Sequence, residues 1–251
     1  MKVVKVILGV VWKTYFLLSF IISLIVLYPL FYALLLNRKR FPAAFKLKKI
    51  WTKWIFPISG IITQVNYKIP KNKLPVTAVY CANHVSYLDI ISAYIVIPHY
   101  FVSMAKKELG KAPLFNIFFK EMNILVDRRS ITAAHRALVK AAEEIDRGNS
   151  VFLFPEGGII TNDGKLHDFK NGAFRLAIDK QVPIVPITFL NNWKLFQNGV
   201  LFRTQGRPGI SRVVVHEPIS TVGMSCNDLI SLRTKTHQVI EQELQNYRLK
   251  D

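Results

Sequence analysis

The chain has 251 residues, just over half of them apolar, and carries 34 Lys and Arg against 16 Asp and Glu for a net charge of +18. That charge suits nucleic acid or an anionic membrane surface, and no zinc-ligand spacing, helix-turn-helix cue or aromatic–basic RNA-binding strand is present, so no nucleic-acid partner is expected. Two separated cysteines, Cys81 and Cys226, form neither a disulfide framework nor a metal-ligand cluster; they fit a reducing compartment and a protein without a metal site.

The N-terminal 60 residues differ from the rest. Thr14 to Leu36 runs 23 residues without a charge, and as a helix it would measure about 35 Å, long enough to cross a bilayer. A cleavable signal peptide fits less well, because the run is long, lacks a small-x-small site and ends at Arg38-Lys39-Arg40. Pro29 predicts a kink near its end. Beyond it, Leu47, Ile50, Trp51, Trp54 and Ile55 share one helical face, with Lys46, Lys48, Lys49 and Lys53 around the remainder. Such a helix suits the headgroup region of a membrane. The same stripe would also serve a helix packed on a globular domain. The division read from this is a membrane anchor with a basic amphipathic helix over 1–60 and a globular domain over 61–251.

Ile61 to Ile69 reads as a strand entering that domain. Val76 to Ala82 is an apolar, β-prone run, followed by Asn83-His84-Val85-Ser86-Tyr87-Leu88-Asp89 and then an apolar helix from Ile90. His84 therefore falls in a strand-to-helix turn, with Asp89 in the first helical turns. An imidazole whose one nitrogen is held by a carboxylate can take a hydroxyl proton on the other. The same two residues would also serve as a core histidine and a helix-start charge. Tyr100 to Ala105 predicts a strand leading into Lys106-Lys107, and Asn123 to Val126 another leading into Asp127-Arg128-Arg129. Ser130 caps a helix to Arg147. Ser150 to Phe154 is a strand ending in Pro155-Glu156-Gly157-Gly158, which puts Glu156 at a strand's carboxyl edge. Gly172 to Lys180 reads as a short helix. Val182-Pro183-Ile184-Val185-Pro186-Ile187 is a strand whose prolines predict an edge position or pinned ends. A strand over Ser211 to Val215 and a helix capped by Ser225 finish the chain. Alternating strands and helices give an α/β fold with a mostly parallel central sheet flanked by helices.

Four ordered blocks resemble the glycerolipid acyltransferase family, whose bacterial members include 1-acyl-glycerol-3-phosphate acyltransferases. They are N-H-x-S-x-x-D from Asn83 to Asp89, the hydrophobic-x-D-R block ending at Arg128, F-P-E-G from Phe154 to Gly157, and V-P-I-V-P-I from Val182 to Ile187. The segment Phe169 to Phe174 is also similar, and the resemblance spans roughly 76 to 220. The first two helices resemble the N-terminal two-helix membrane element of bacterial members. The resemblance implies acyl transfer from acyl-CoA or acyl carrier protein, as co-substrate rather than bound cofactor, to a lyso-lipid hydroxyl. His84 is then the general base and Asp89 its orienting partner. Arg128 is the candidate for the acceptor's phosphate, with a surface cation at a strand end as the alternative. Glu156 and Gly157 are expected at the acceptor's polar backbone, with Glu156 as a helix or turn acceptor of backbone amides the alternative. Lys106 and Ser86 complete the expected substrate-binding set, and Asn83 with Ser86 shapes the turn.

Two departures bear on the acceptor. Where the family usually continues F-P-E-G with Thr-Arg-Ser, this chain has Gly158-Ile159-Ile160, and Met122 stands where the Arg128 block usually opens with glycine. Lys106, Lys165 or Lys170 could supply the missing cation, without arginine's planar fork. Lysophosphatidic acid is the leading acceptor. Another lyso-lipid, such as a lyso-aminoacid lipid, is the alternative, and a non-catalytic membrane-surface protein is a third reading. Both donors are cytosolic, so the expected location is the cytoplasmic membrane with the catalytic domain on the cytosolic side. No G-x-S-x-G elbow is present, which fits direct attack by the acceptor hydroxyl and argues against a lipase.

Overall fold

The computed structural model describes residues 2–127 and 129–249. Its first element is helix α1, Lys2–Leu35, which begins well before the charge-free run and continues through Pro29. Lys13 is tolerated inside it because its ammonium donates to the Gln197 carbonyl at 2.7 Å and the Thr204 hydroxyl at 2.5 Å. A short turn capped by Asn37 leads to α2, Phe41–Ile58, which carries a proline in its first turn, where a missing N–H costs nothing.

The α/β body follows as β1 (Ile61–Tyr67), β2 (Val79–Ala82), α3 (Leu88–Val96), β3 (Phe101–Lys106), α4 (Asn116–Glu121) and β4 (Ile124–Val126). It continues with α5 (Ile131–Asp146), β5 (Ser150–Leu153), α6 (Gly172–Asp179), β6 (Ile184–Phe189), α7 (Asn192–Leu195), β7 (Gly209–Val215) and α8 (Leu229–Arg248). Ser130 caps α5 by accepting from the Ala133 amide, and Ser225 with Asp228 forms a capping box one turn ahead of α8.

The seven strands lie in the order β1-β7-β6-β2-β5-β3-β4. Every neighbouring pair is parallel except β6 with β7. Of the two readings the prolines of β6 allow, an edge position or pinned ends, the structure corrects the first: β6 is central, between β2 and β7, and buried along its whole length. Pro183 precedes the strand. The Pro186 carbonyl accepts from His216, just past the last paired residue of β7, Val215. A residue's N and C=O point to the same side of a strand, so the proline costs only the return bond at the end of the β7 ladder and leaves the pairing with β2 intact.

Two apolar layers sandwich the sheet. Tyr80, Phe101 and Phe152 point to the face covered by Phe31 of α1 and Trp51, Ile55 and Phe56 of α2. Cys81, Val151 and Leu153 point to the other, covered by Ala141 of α5, Phe174 of α6 and Ile240 of α8. The first 60 residues, together with α3, thus make one of the two covering layers. The predicted stripe on α2 divides: Trp51 and Ile55 are buried, whereas Ile50 and Trp54 are exposed. Along α1, Gly9, Lys13, Phe16, Leu24, Phe31 and Leu35 are buried, a single line from one end of the helix to the other. The remaining faces of α1 are exposed and apolar.

Candidate active site

The carboxyl ends of β2, β5 and β6 lie side by side, the edge where open α/β sheets place ligands. From β2 the chain turns through Asn83, whose amide mimics a further rung of the ladder. Its Nδ2 donates to the Phe189 carbonyl at 3.0 Å and its Oδ1 accepts from the Phe189 amide at 2.8 Å. That clamp fixes the exit of the next residue, His84.

His84 Nδ1 lies 3.0 Å from Asp89 Oδ2. The same oxygen accepts from the Val85 and Ser86 amides at 2.7 and 2.8 Å, so the i,i+5 pair closes a tight turn at the start of α3. A carboxylate accepting there puts the ring proton on Nδ1 and leaves Nε2 as the basic nitrogen. Among the described residues nothing hydrogen-bonds Nε2. The ring stacks on Phe154, centroids 3.7 Å apart and 9° from parallel, which fixes its remaining freedom.

Asp89 Oδ1 accepts from Asn192 Nδ2 at 2.8 Å, and Asn192 Oδ1 in turn accepts from the Ser211 hydroxyl at 2.6 Å. Asp89, Asn192 and Ser211 are all fully buried. Sequence reasoning missed this relay. Its signal was the polar pair Asn191-Asn192, placed directly after an apolar strand on the same sheet edge as His84.

Glu156 is brought to the histidine through the latter's backbone. Its Oε1 accepts from the His84 backbone N–H at 2.6 Å and its Oε2 from the His167 backbone N–H at 3.0 Å. This is the alternative reading, a turn acceptor of backbone amides, and it ties the His84 turn to the loop before α6. Burial pushes its pKa up to about 7, against the pull of those two N–H donors. Of the two readings of Ser86, the substrate-binding one is corrected and the turn-shaping one holds. The residue is completely buried, its hydroxyl donates to the Phe196 carbonyl at 2.7 Å and accepts from the Leu88 amide at 3.2 Å, so it serves the turn rather than a substrate.

Beside the His84–Phe154 stack is a cavity of about 370 Å³. Its apolar wall includes Met104, Val126, Leu138 and Leu153, and Arg129, Lys170 and Gly157 are among its polar lining. Gly157 has φ +85°, and a Cβ there would stand 2.7 Å from Lys170 Nζ. The backbone conformation favours glycine, and a side chain there would displace the tip of Lys170. Lys170 and Arg129 are the described cations at this site. Lys165 pairs with Asp163 at 3.5 Å, away from the lining. Lys106 ends β3 and faces Glu108 at 3.6 Å, also outside the lining, so the structure does not bring it to the histidine. Arg128 lies outside the described residues.

A buried His–Asp pair lies at the carboxyl edge of a mostly parallel sheet, beside an apolar cavity with a cationic lining, an arrangement that an α/β enzyme can use for base-assisted chemistry. The comparisons give the family. Residues 64–190, half of the chain, match the family model described as Acyltransferase. A 1-acyl-sn-glycerol-3-phosphate acyltransferase of Haemophilus influenzae is 29% identical over 206 residues, covering 77% of this chain and 79% of that protein. The protein of the same name from Borreliella burgdorferi is 28% identical over 198 residues, covering 78% and 76%. The crystal structure of the 1-acyl-sn-glycerophosphate (LPA) acyltransferase PlsC from Thermotoga maritima superposes with a TM-score of 0.78 at 22% identity, covering 96% of this chain and 97% of that one. The chain belongs to the Acyltransferase family. It is an acyltransferase of lipid biosynthesis.

Proposed function

We propose that the protein moves a fatty acyl group from acyl-CoA or acyl carrier protein to the free hydroxyl of lysophosphatidic acid, forming phosphatidic acid. The observation that carries the reading is the 3.0 Å contact between His84 Nδ1 and Asp89 Oδ2, with Nε2 left for a substrate. The acceptor hydroxyl gives its proton to Nε2 as its oxygen attacks the thioester carbonyl carbon. Asp89 stabilises the imidazolium. The tetrahedral intermediate collapses, the C–S bond breaks, and the thiolate leaves with the proton from Nε2. Base catalysis of this kind contributes roughly 10² to 10⁴ in rate, and positioning of two amphiphiles supplies the rest. The acceptor's phosphate is assigned to Arg128, on the resemblance, with Lys170 and Arg129 lining the cavity as further cations.

The membrane arrangement is part of the same proposal. The segment Val6–Leu35 is long and apolar enough to cross a bilayer. Against a crossing, α1 packs on the domain from Gly9 to Leu35. A helix standing through the bilayer would draw the polar surface of that domain into hydrocarbon. Lying in one leaflet, it buries its exposed apolar faces and keeps the site beside the lipid, on the cytosolic side where both donors are found.

One experiment tests the reaction. Full-length protein in lipid receives acyl-CoA or acyl carrier protein with lysophosphatidic acid or a phosphate-free lyso-lipid. His84→Ala should lose at least about 10² in kcat while remaining folded. Arg128→Ala should raise the KM for lysophosphatidic acid and leave the donor KM little changed. Near-normal turnover by His84→Ala would end the mechanism. The replacement of the family's Thr-Arg by Gly158-Ile159 favours one other outcome, preference of the unaltered protein for the phosphate-free acceptor.

A further inference from the structure

Four large apolar side chains outside the first 60 residues stand exposed around the catalytic turn. Tyr87 is 57% exposed, Ile160 55%, Val200 60% and Phe202 72%. They sit on three segments that are tied to one another. The Tyr87 amide donates to Asn198 Oδ1 at 3.2 Å, and Asn198 Nδ2 donates to the Val85 carbonyl at 3.3 Å. Asn162 Nδ2 donates to the Asn198 carbonyl at 2.8 Å, and the Asn198 amide returns a bond to Asn162 Oδ1 at 3.0 Å. The catalytic turn, the loop after Glu156 and the loop after α7 therefore form one rim.

That rim is fastened to α1. Lys13 donates to Gln197 and Thr204 on either side of Val200 and Phe202. Phe16 packs on Phe196 with ring centroids 5.4 Å apart. A side chain at Gly206 would overlap the Lys13 stem, so the loop lies directly on the helix. On the same turns of α1, Leu8, Val11 and Tyr15 are exposed. The apolar surface of the helix thus continues onto the His84 turn and its rim, and the same loop carries the exposed Arg203 and Arg207. Apolar tips flanked by arginines are what a loop needs to sit at an anionic headgroup boundary.

We infer that Tyr87, Ile160, Val200 and Phe202 form a third membrane-contacting element. They dip into an anionic phospholipid surface so that the mouth of the His84 site opens into lipid. The inference rests on the proposal that α1 lies in the leaflet, and it adds what that proposal leaves open: which side of the catalytic body meets the bilayer.

The test uses the full chain with Cys226→Ser, which leaves only the buried Cys81. Single cysteines at Phe202→Cys, Ile22→Cys and Val222→Cys carry an environment-sensitive fluorophore. Ile22 is on the exposed face of α1, and Val222 follows Thr221, which bonds the Val182 carbonyl at the opposite edge of the sheet. The protein is reconstituted into phosphatidylcholine vesicles with about a quarter phosphatidylglycerol and brominated acyl chains. Labels at 22 and 202 should be quenched and the label at 222 should not. An unquenched label at 22 would sink the leaflet placement of α1 itself. Quenching at 22 with a label at 202 that behaves like the one at 222 would overturn the rim alone. So would a label at 202 that acyl carrier protein shields in detergent and that bromolipid leaves untouched, since the loop would then be a protein-docking site. As a second readout, Val200→Ser with Phe202→Ser should raise the KM for acceptor presented in vesicles by about tenfold. Turnover of a short-chain, water-soluble acceptor should be unchanged, and an unaltered vesicle KM would refute the rim.

Discussion

Asp89 accepts four hydrogen bonds, and only one comes from the histidine it orients. Two local amides fix one oxygen, and Asn192 fixes the other from a distant part of the chain. Asn192→Leu removes that outer hold and leaves Asp89 Oδ1 and the Ser211 hydroxyl unpartnered in a fully buried place, a cost of about 1–3 kcal/mol per group. The expected result is a lower Tm together with a kcat reduced about tenfold or more and acceptor KM little altered, read by melting and steady-state kinetics. Asn192→Ser in a folded protein with full kcat would show that the two backbone amides suffice. Glu156 is a different case at the same scale. Its carboxylate type is what the F-P-E-G turn supplies, but both oxygens hold backbone N–H groups, so its effect on chemistry passes through the placement of His84.

At the scale of elements, α1 and α2 are part of a covering layer of the sheet as well as an apolar surface. Removing residues 1–60 uncovers Tyr80, Phe101 and Phe152 and strips away Phe31, Trp51 and Phe56. Uncovering this many core aromatics outweighs a domain's marginal net stability. The truncated chain should therefore be insoluble or lack cooperative melting, and a soluble, cooperatively folding 61–251 fragment would contradict this. Within α2, Lys48 is only 5% exposed and its ammonium faces the rings of Phe118 and Tyr94 at 4.5 and 5.4 Å. Burial pulls its pKa down to about 7. The folded value lies below the unfolded 10.5, so stability is incomplete at neutral pH and rises as pH climbs from 7 toward 10.5. Lys48→Met should raise stability at pH 7 by at least about 1 kcal/mol, some 2–4 °C in Tm, and flatten that rise.

Across the whole molecule, two buried groups give opposing pH slopes. His216 donates or accepts across 2.8 Å to the Thr188 hydroxyl, and burial pulls its pKa from 6.5 down to about 4. The unfolded chain binds that proton first, so this contribution is present above 6.5 and is lost as pH falls toward 4. Glu156 runs the other way. Raised from 4.5 to about 7, it contributes stability below 4.5 that is lost as pH rises to 7. Each shift corresponds to about 3 kcal/mol at most. Between pH 5 and 6.5 the unaltered protein should show a nearly level Tm as far as these two groups decide it, His216→Gln a Tm falling with pH, and Glu156→Gln a Tm rising with pH. Parallel profiles for the two variants would contradict the assignment.

Local pattern determined much of this protein. The strand–turn–helix from Val79 to Val96, the caps at Ser130 and Ser225, and the juxtaposition of His84 with Asp89 were legible because each depends on residues a few positions apart. The family blocks were legible for the same reason. What only the tertiary structure decided depends on segments meeting from far along the chain. The prolines of β6 marked a strand with restricted bonding, but its central place depends on where β7 stops pairing. The apolar stripe of α2 marked a buried face without saying that Trp51 would pack on Phe20 and Phe31 of α1 and that Ile50 and Trp54 would stay outside. Asn192 reaches Asp89 across 103 residues, and Glu156 meets backbone N–H groups that carry no side-chain signature. A sequence period records which face of an element is apolar; it does not record which neighbour arrives to cover it.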